Sequence, residues 1–209
     1  LHIDKYPEEK RGDRKEVMLD AEQMAQLLAA IDEEEKAGTN ANACTAIRLA
    51  FRTGWRIGEV LRLKWKNVDL EQGLAKLTQT KTSREEYRHL PEEAVRILRR
   101  LSHAPNSPYV LPGDDLKNHL TTVRRPWKKI RRRAGLDNLD GLGPLRIHDL
   151  RHNVVSWDVS RGVPLEIAGK NVGHRSRRST EVYAHFAPTT LKRAADERAQ
   201  AMRHAMEQS

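Results

Sequence analysis

The chain is punctuated as a helical protein. Asp20 is followed three residues on by Gln23, the arrangement of a reciprocal helix cap, and Met24, Leu27, Leu28 and Ile31 then recur at helical spacing. Gly38 offers a stop. A second helix is expected from 41 to about 52 with Gly54 as its end, and a third from 57 to 63. Pro91 opens another with Val95, Leu98 and Leu101 inward. The pattern of 116–134 is helical apart from Pro126. Helices are further expected from His148 to Arg161, stopped by Gly162, from Pro164, and over 177–186. Pro188 breaks that last one, and Thr189 caps a final helix reaching about 207.

Only one stretch argues for strands. Residues 69–73 are turn-like, 74–80 and 87–90 are polar and β-branched, and K-T-S-R-E-E joins the two, so a hairpin is expected despite poor alternation. Loops cover 103–115 and 136–144. The fold class is therefore mostly α with a small antiparallel β-sheet.

Composition narrows the partner. The chain has 209 residues, with 38 Lys and Arg against 29 Asp and Glu, a formal charge of +9. That excess favours a polyanion, most often nucleic acid. Cys44 is the only cysteine, which excludes an intrachain disulfide and a multi-cysteine zinc site and fits a reducing compartment. No apolar run is long enough for a membrane span, so no membrane partner is expected. The polar opening segment, 1–17, reads as a linker from a missing N-terminal DNA-binding domain, and 18–188 as the main domain.

Three stretches can carry chemistry. In T-G-W-R-I-G-E-V-L, Arg56 follows a glycine stop and Glu59 shares its helical face; a surface ion pair is the plain alternative. In L-R-I-H-D-L-R-H-N, His148 and Arg151 project together. The spacing of His148 and His152 raises a zinc reading, but Asp149 stands where a metalloprotease would have glutamate, and Arg151 would place a cation beside the metal. A histidine beside an arginine suits an anion such as phosphate. In G-K-N-V-G-H-R-S-R-R-S-T-E-V-Y, His174 follows Gly173, and Tyr183 comes nine residues later; packing is the ordinary fate of such a tyrosine.

Arg56, Lys81, the H-x-x-R of His148 and Arg151, the G-H of His174 and the tyrosine of V-Y-A-H-F occur in this order. Together they resemble the catalytic domain of the tyrosine recombinase (phage integrase) family over about residues 18–190. T-K-T-S-R resembles the family's hairpin lysine loop. Asn153, where Thr or Ser is common, and Lys170-Asn171-Val172, where apolar residues are usual, depart from the pattern.

The resemblance implies a site-specific recombinase that cleaves and rejoins DNA through a 3′-phosphotyrosyl intermediate. Tyr183 would be the nucleophile, Arg56, Arg151 and His174 would hold the phosphate, and His148 would be the base or proton relay. Lys81 would be the general acid, and Glu59 would orient Arg56 or a neighbour. No cofactor or metal is implied. A nicking-closing topoisomerase and a non-catalytic DNA-binding module are the alternatives.

The implied partners are double-stranded DNA, further copies in a homotetramer on it, and accessory DNA-bending proteins. The setting would be cytoplasmic, in a bacterium or from a phage. The basic run holding Arg124, Arg125, Lys128, Lys129, Arg131, Arg132 and Arg133 suits backbone phosphates or is a solvated helix face. Trp127 within it is expected to be buried. Leu191, Ala195, Ala199, Met202 and Met206 share a face of the last helix, in 189–209, which would pack on its own domain or dock on a neighbouring protomer.

Overall fold

The computed structural model describes residues 17–78, 85–139, 141–174, 178–184 and 188–207. Helix α1 (Ala21–Lys36) begins as its local chemistry dictates. The Asp20 carboxylate accepts the Gln23 amide N–H at 2.8 Å, and the Gln23 side chain accepts the Asp20 amide N–H at 3.1 Å. Helix α2 (Ala41–Thr53) starts on Asn40, whose side chain takes the Ala43 N–H at 3.0 Å, and ends at Gly54 with φ +65°. Its buried residues include Ala43, Cys44, Ala46, Ile47, Leu49, Ala50 and Phe51, of which the small ones, Ala43, Cys44, Ala46 and Ala50, let neighbours approach closely. Around it pack α1, α3 (Ile57–Leu61), α4 (Glu92–Arg99), α5 (Arg124–Arg133) and α6 (Asp149–Ser160).

The sheet has three antiparallel strands in the order β1 (Val68–Asp69), β2 (Leu74–Thr78), β3 (Glu85–His89). Strand β1 lies partly within the stretch expected to be a turn: Val68 and Asp69 pair with Ala75 and Leu74. On β2 and β3, Ala75 faces Arg88 and Lys76 faces Tyr87. Ala75, Leu77 and Arg88 are buried, while Tyr87 is exposed. An arginine inside and a tyrosine outside explain why the sequence alternation is poor.

Two helical expectations are corrected. Residues 116–123 are not helical, and α5 starts only at Arg124. The Asp115 carboxylate takes the Asn118 amide N–H at 3.0 Å and its side-chain NH2 at 2.7 Å, and Leu120 N–H donates to the Leu111 carbonyl at 2.9 Å. Local side-chain bonds of this kind compete with the helix and win. Pro126 then falls in the first turn of α5, where its missing N–H costs nothing. After α7 (Leu165–Val172), the helix expected over 177–186 is seen in the described residues as α8 (Arg178–Glu181), with Tyr183 in the turn beyond it; 177, 185 and 186 lie outside the described residues.

The main core gathers α1 to α5 and the loops around them, and Trp127 belongs to it. A smaller cluster consists of Val155 and Val159 from α6, Ala168 and Val172 from α7, and Tyr183. Helix α9 (Pro188–Glu207) touches α6, but its described side chains, 194–207, are all exposed. Among the described residues, no helix is long and apolar enough to cross a membrane, and no cluster of side chains is placed to hold a metal ion.

Candidate active site

Arg151 organises the site. It sits in the first turn of α6, and only 2% of it is exposed. Its Nη1 donates to the Gly54 carbonyl at 3.1 Å and to the Val172 carbonyl. It thereby ties the end of α2, just before Arg56, to the end of α7, just before His174. Gly54 is required here on two counts. Its backbone is left-handed, and a Cβ would come within 2.6 Å of Val172 and 3.0 Å of Val154. Among the described residues, Arg151 Nη2 is buried without a hydrogen-bond partner. A buried guanidinium held by carbonyls with one amino group unanswered is an anion site in waiting. Burial, reinforced by the positive Arg56, pulls its pKa down to about 9.

Arg56 precedes α3, with its side chain 44% exposed. Glu59 accepts its backbone N–H at 3.0 Å and its Nη1 at 3.2 Å. The expected ion pair exists, but Glu59 is also held from the other side by Arg88 at 2.8 Å.

Tyr183 is 1% exposed, with its ring in the small α6–α7 cluster. Its hydroxyl shares a hydrogen bond with His152 Nδ1. His174 lies over the tyrosine ring, centroids 6.0 Å apart and nearly parallel, and its Nδ1 meets Thr180 Oγ1 at 3.0 Å. His148, at the start of α6, packs edge-on against His152 at 5.0 Å. Thus His152, not His148, meets the tyrosine hydroxyl.

All three imidazoles are pushed below the usual histidine range. For His174 the cause is burial, then the charges of Arg151 and Arg56, and the value falls to about 3. His148 falls to about 4 through its surroundings and the nearby His152, Arg151 and Arg56, although an open face lets water screen part of that push. Burial lowers His152 as well. At neutral pH these are neutral rings able to accept a proton.

The structure therefore brings together Arg56, Glu59, His148, Arg151, His174 and Tyr183. Lys81 lies outside the described residues. The departures have local reasons. Asn153 is buried, accepting the Leu19 N–H at 2.5 Å and donating to the Val17 carbonyl at 3.1 Å, so it anchors the chain entering α1. Lys170 and Asn171 are exposed and need not be apolar, whereas Val172 is buried.

The basic run divides. Arg124, Arg125, Lys128 and Lys129 are exposed. Arg131 and Arg132 pair with Asp137 at 2.6 and 3.5 Å, and Arg133 pairs with Glu34 at 2.7 Å and Glu33 at 3.2 Å. Two residues escape the motif reading, His152 and Arg88. The i+4 spacing from His148 put His152 on the right face, and nothing in a linear motif marks Arg88.

This chain belongs to the phage integrase family, whose family model matches residues 17–189. It is 30% identical over 177 residues to a probable integrase/recombinase protein of Methanocaldococcus jannaschii, covering 80% of this chain and 52% of that one. It is 28% identical over 155 residues to the tyrosine recombinase XerD of Pasteurella multocida, covering 70% and 50%. The chain spans about half the length of these curated relatives. The fold is shared with XerH site-specific recombinase bound to palindromic difH substrate in a post-cleavage complex (TM-score 0.66, 24% identity, 90% of this chain and 54% of that one). It is also shared with the catalytic domain of bacteriophage HP1 integrase (TM-score 0.62, 22% identity, 87% and 95%).

Proposed function

We propose that this chain is the catalytic part of a site-specific DNA recombinase that cleaves and rejoins strands through a 3′-phosphotyrosyl link. One observation carries the reading. The Tyr183 hydroxyl is bonded to a neutral imidazole in the same small site as a buried guanidinium with an unpartnered Nη2.

The chemistry follows from the residue types. A phosphodiester is anionic and resists attack, so its transition state needs fixed positive charge. Arg56 and Arg151 supply planar forks for the nonbridging oxygens, and His174 adds a hydrogen bond. A phenol is a poor nucleophile until its proton leaves. His152 takes that proton at Nδ1, with His148 next to it as a relay. The bond from the Tyr183 oxygen to phosphorus forms as the bond to the 5′-oxygen breaks, and Lys81 protonates that oxygen. The new ester conserves the energy of the old one, so religation needs no other energy source.

Arg124, Arg125, Lys128 and Lys129 form the exposed part of α5 and contact backbone phosphates. The open face of α9, with Ala195, Ala199, Met202 and Met206, docks on a neighbouring protomer in a homotetramer on double-stranded DNA. Leu191 lies outside the described side chains.

The test is incubation with nicked duplexes cut from genomic DNA, followed by a denaturing gel and mass mapping of the cross-linked peptide. A DNA-linked species mapping to Tyr183 is expected. DNA binding without any covalent species would mean a non-catalytic module. Nicking and closing without strand exchange would mean a topoisomerase.

A further inference from the structure

The β-sheet sends one charged side chain inward. Arg88, opposite Ala75 on β3, has a side chain only 1% exposed. Its fork closes on Glu59, Nη1 to Oε2 at 2.8 Å and Nη2 to Oε1 at 3.3 Å, and Nη2 also donates to Glu86 at 3.0 Å. The same guanidinium lies against Gly173. A Cβ there would fall 2.0 Å from Nη2 and 2.2 Å from Cζ. Arg88 thus touches the carboxylate that holds Arg56 and the turn that delivers His174.

Its charge matters as much as its shape. A Glu59 paired to Arg56 alone would make a neutral couple and blunt the attraction of Arg56 for a phosphate. Glu59 instead meets Arg88 with both oxygens and the Arg56 guanidinium through a single Nη1 at 3.2 Å. Glu86, on the solvent side with a third of its side chain exposed, answers the rest of Arg88's charge. Burial pushes the Glu59 carboxyl up, but the Arg88 bonds and charge outweigh it and hold it below the usual range, so it stays ionised.

We propose that Arg88 is a positioning residue for the reaction. It anchors Glu59 so that this carboxylate orients Arg56 without neutralising it, and it sets the place of the Gly173–His174 turn. This rests on the recombinase reading for the reaction, but not for the charge relation between Arg88, Glu59 and Arg56. An ordinary structural ion pair makes a different forecast, and a double-mutant cycle separates the two.

The variants are Arg88→Met, Glu59→Gln and the pair combined, each checked by circular dichroism melting. Two quantities are read: the single-turnover rate of covalent attachment to nicked DNA, and the affinity for tungstate, a phosphate mimic, by calorimetry without DNA. Arg88→Met should lower both by about tenfold, because Glu59 then turns wholly to Arg56. Adding Glu59→Gln should recover most of the tungstate loss, since no carboxylate remains to neutralise Arg56, whereas attachment stays slow because nothing then orients Arg56 or places the Gly173–His174 turn. Additive tungstate losses in the double variant, or unchanged tungstate affinity in Arg88→Met, would overturn the proposal.

Should Arg88→Met fail to fold, Arg88→Lys keeps the buried cation without the fork. It should hold tungstate affinity and slow attachment, and loss of tungstate affinity would count against the proposal. If even the parent forms no covalent species while tungstate binding follows the cycle, the recombinase reading fails and the role of Arg88 stands. If the parent reacts and Arg88→Met reacts as fast, the role of Arg88 fails alone.

Discussion

Replacing Tyr183 by Phe removes one oxygen from a residue that is 1% exposed and leaves its ring among Val155, Val159, Ala168 and Val172. No charge changes, so DNA affinity should stay within about twofold. What the fold loses is the hydrogen bond to His152 Nδ1. A bond of that kind contributes about 1 kcal/mol net, which for a domain of this size is a drop of about 2–4 °C in Tm. The proposed reaction, by contrast, would lose its nucleophile altogether. The assay is a denaturing gel on nicked DNA beside a melting curve for the same preparation. A folded, DNA-binding protein with no covalent species is the expected result. A DNA-linked band from Tyr183→Phe would refute the assignment. A loss of stability beyond about 3 kcal/mol would show that the hydroxyl is chiefly a structural bond.

Gly173→Ala should destabilise strongly, by more than about 2 kcal/mol, because φ is +79° and the new methyl meets the Arg88 guanidinium; an unchanged urea midpoint would contradict the packing. Acid should weaken the fold in a defined window. His148, His152 and His174 have folded pKa values below their unfolded ones, so the unfolded chain binds more protons as pH falls. Stability is full above about 6.5 and declines toward the folded value of about 3 for His174, with the open face of His148 muting its share, so a Tm flat between pH 7.5 and 5 would refute the desolvation of the His152 and His174 rings. DNA affinity should fall steeply with salt, with a slope of about −0.9 per phosphate neutralised, and charge reversal at Lys128 and Lys129 should flatten it; an unaltered slope would remove α5 from the interface.

What the sequence disclosed was local. Asp20 with Gln23, and Gly54 after α2, could be read because the groups they satisfy lie within four residues. The hairpin was blurred because one inward position holds Arg88, whose reason for being there is Glu59, 29 residues away. The span 116–123 kept helical spacing, but Asp115 and Asn118 bind each other first. In the site, the order of motifs collected the residues and offered His148 as the base or proton relay, but it did not show that the Tyr183 hydroxyl meets His152. Choosing His152 needs the depth of Tyr183 in a pocket built by α6 and α7, which no spacing along the chain encodes.

The two arginines that the motifs treat alike are physically different. Arg56 is nearly half exposed, and Glu59 keeps Arg88 when Arg56 is gone. Arg56→Ala should therefore cost stability only about 0.5–1 kcal/mol. Arg151 is buried and binds two carbonyls, one at the door of Arg56 and one at the door of His174. Its removal frees both backbone segments and leaves those carbonyls buried, so Arg151→Ala should cost about 2–4 kcal/mol. On the proposed mechanism each variant should slow covalent attachment at least ~100-fold, since each would lose a donor to the transition-state phosphate. Only the Arg151 variant should also loosen the tungstate site as a whole, because it misplaces Arg56 and His174 together. Denaturant titrations of both variants decide the matter. Equal stability losses would mean that the two carbonyl bonds of Arg151 do not hold the site together, and that the buried guanidinium serves the anion alone.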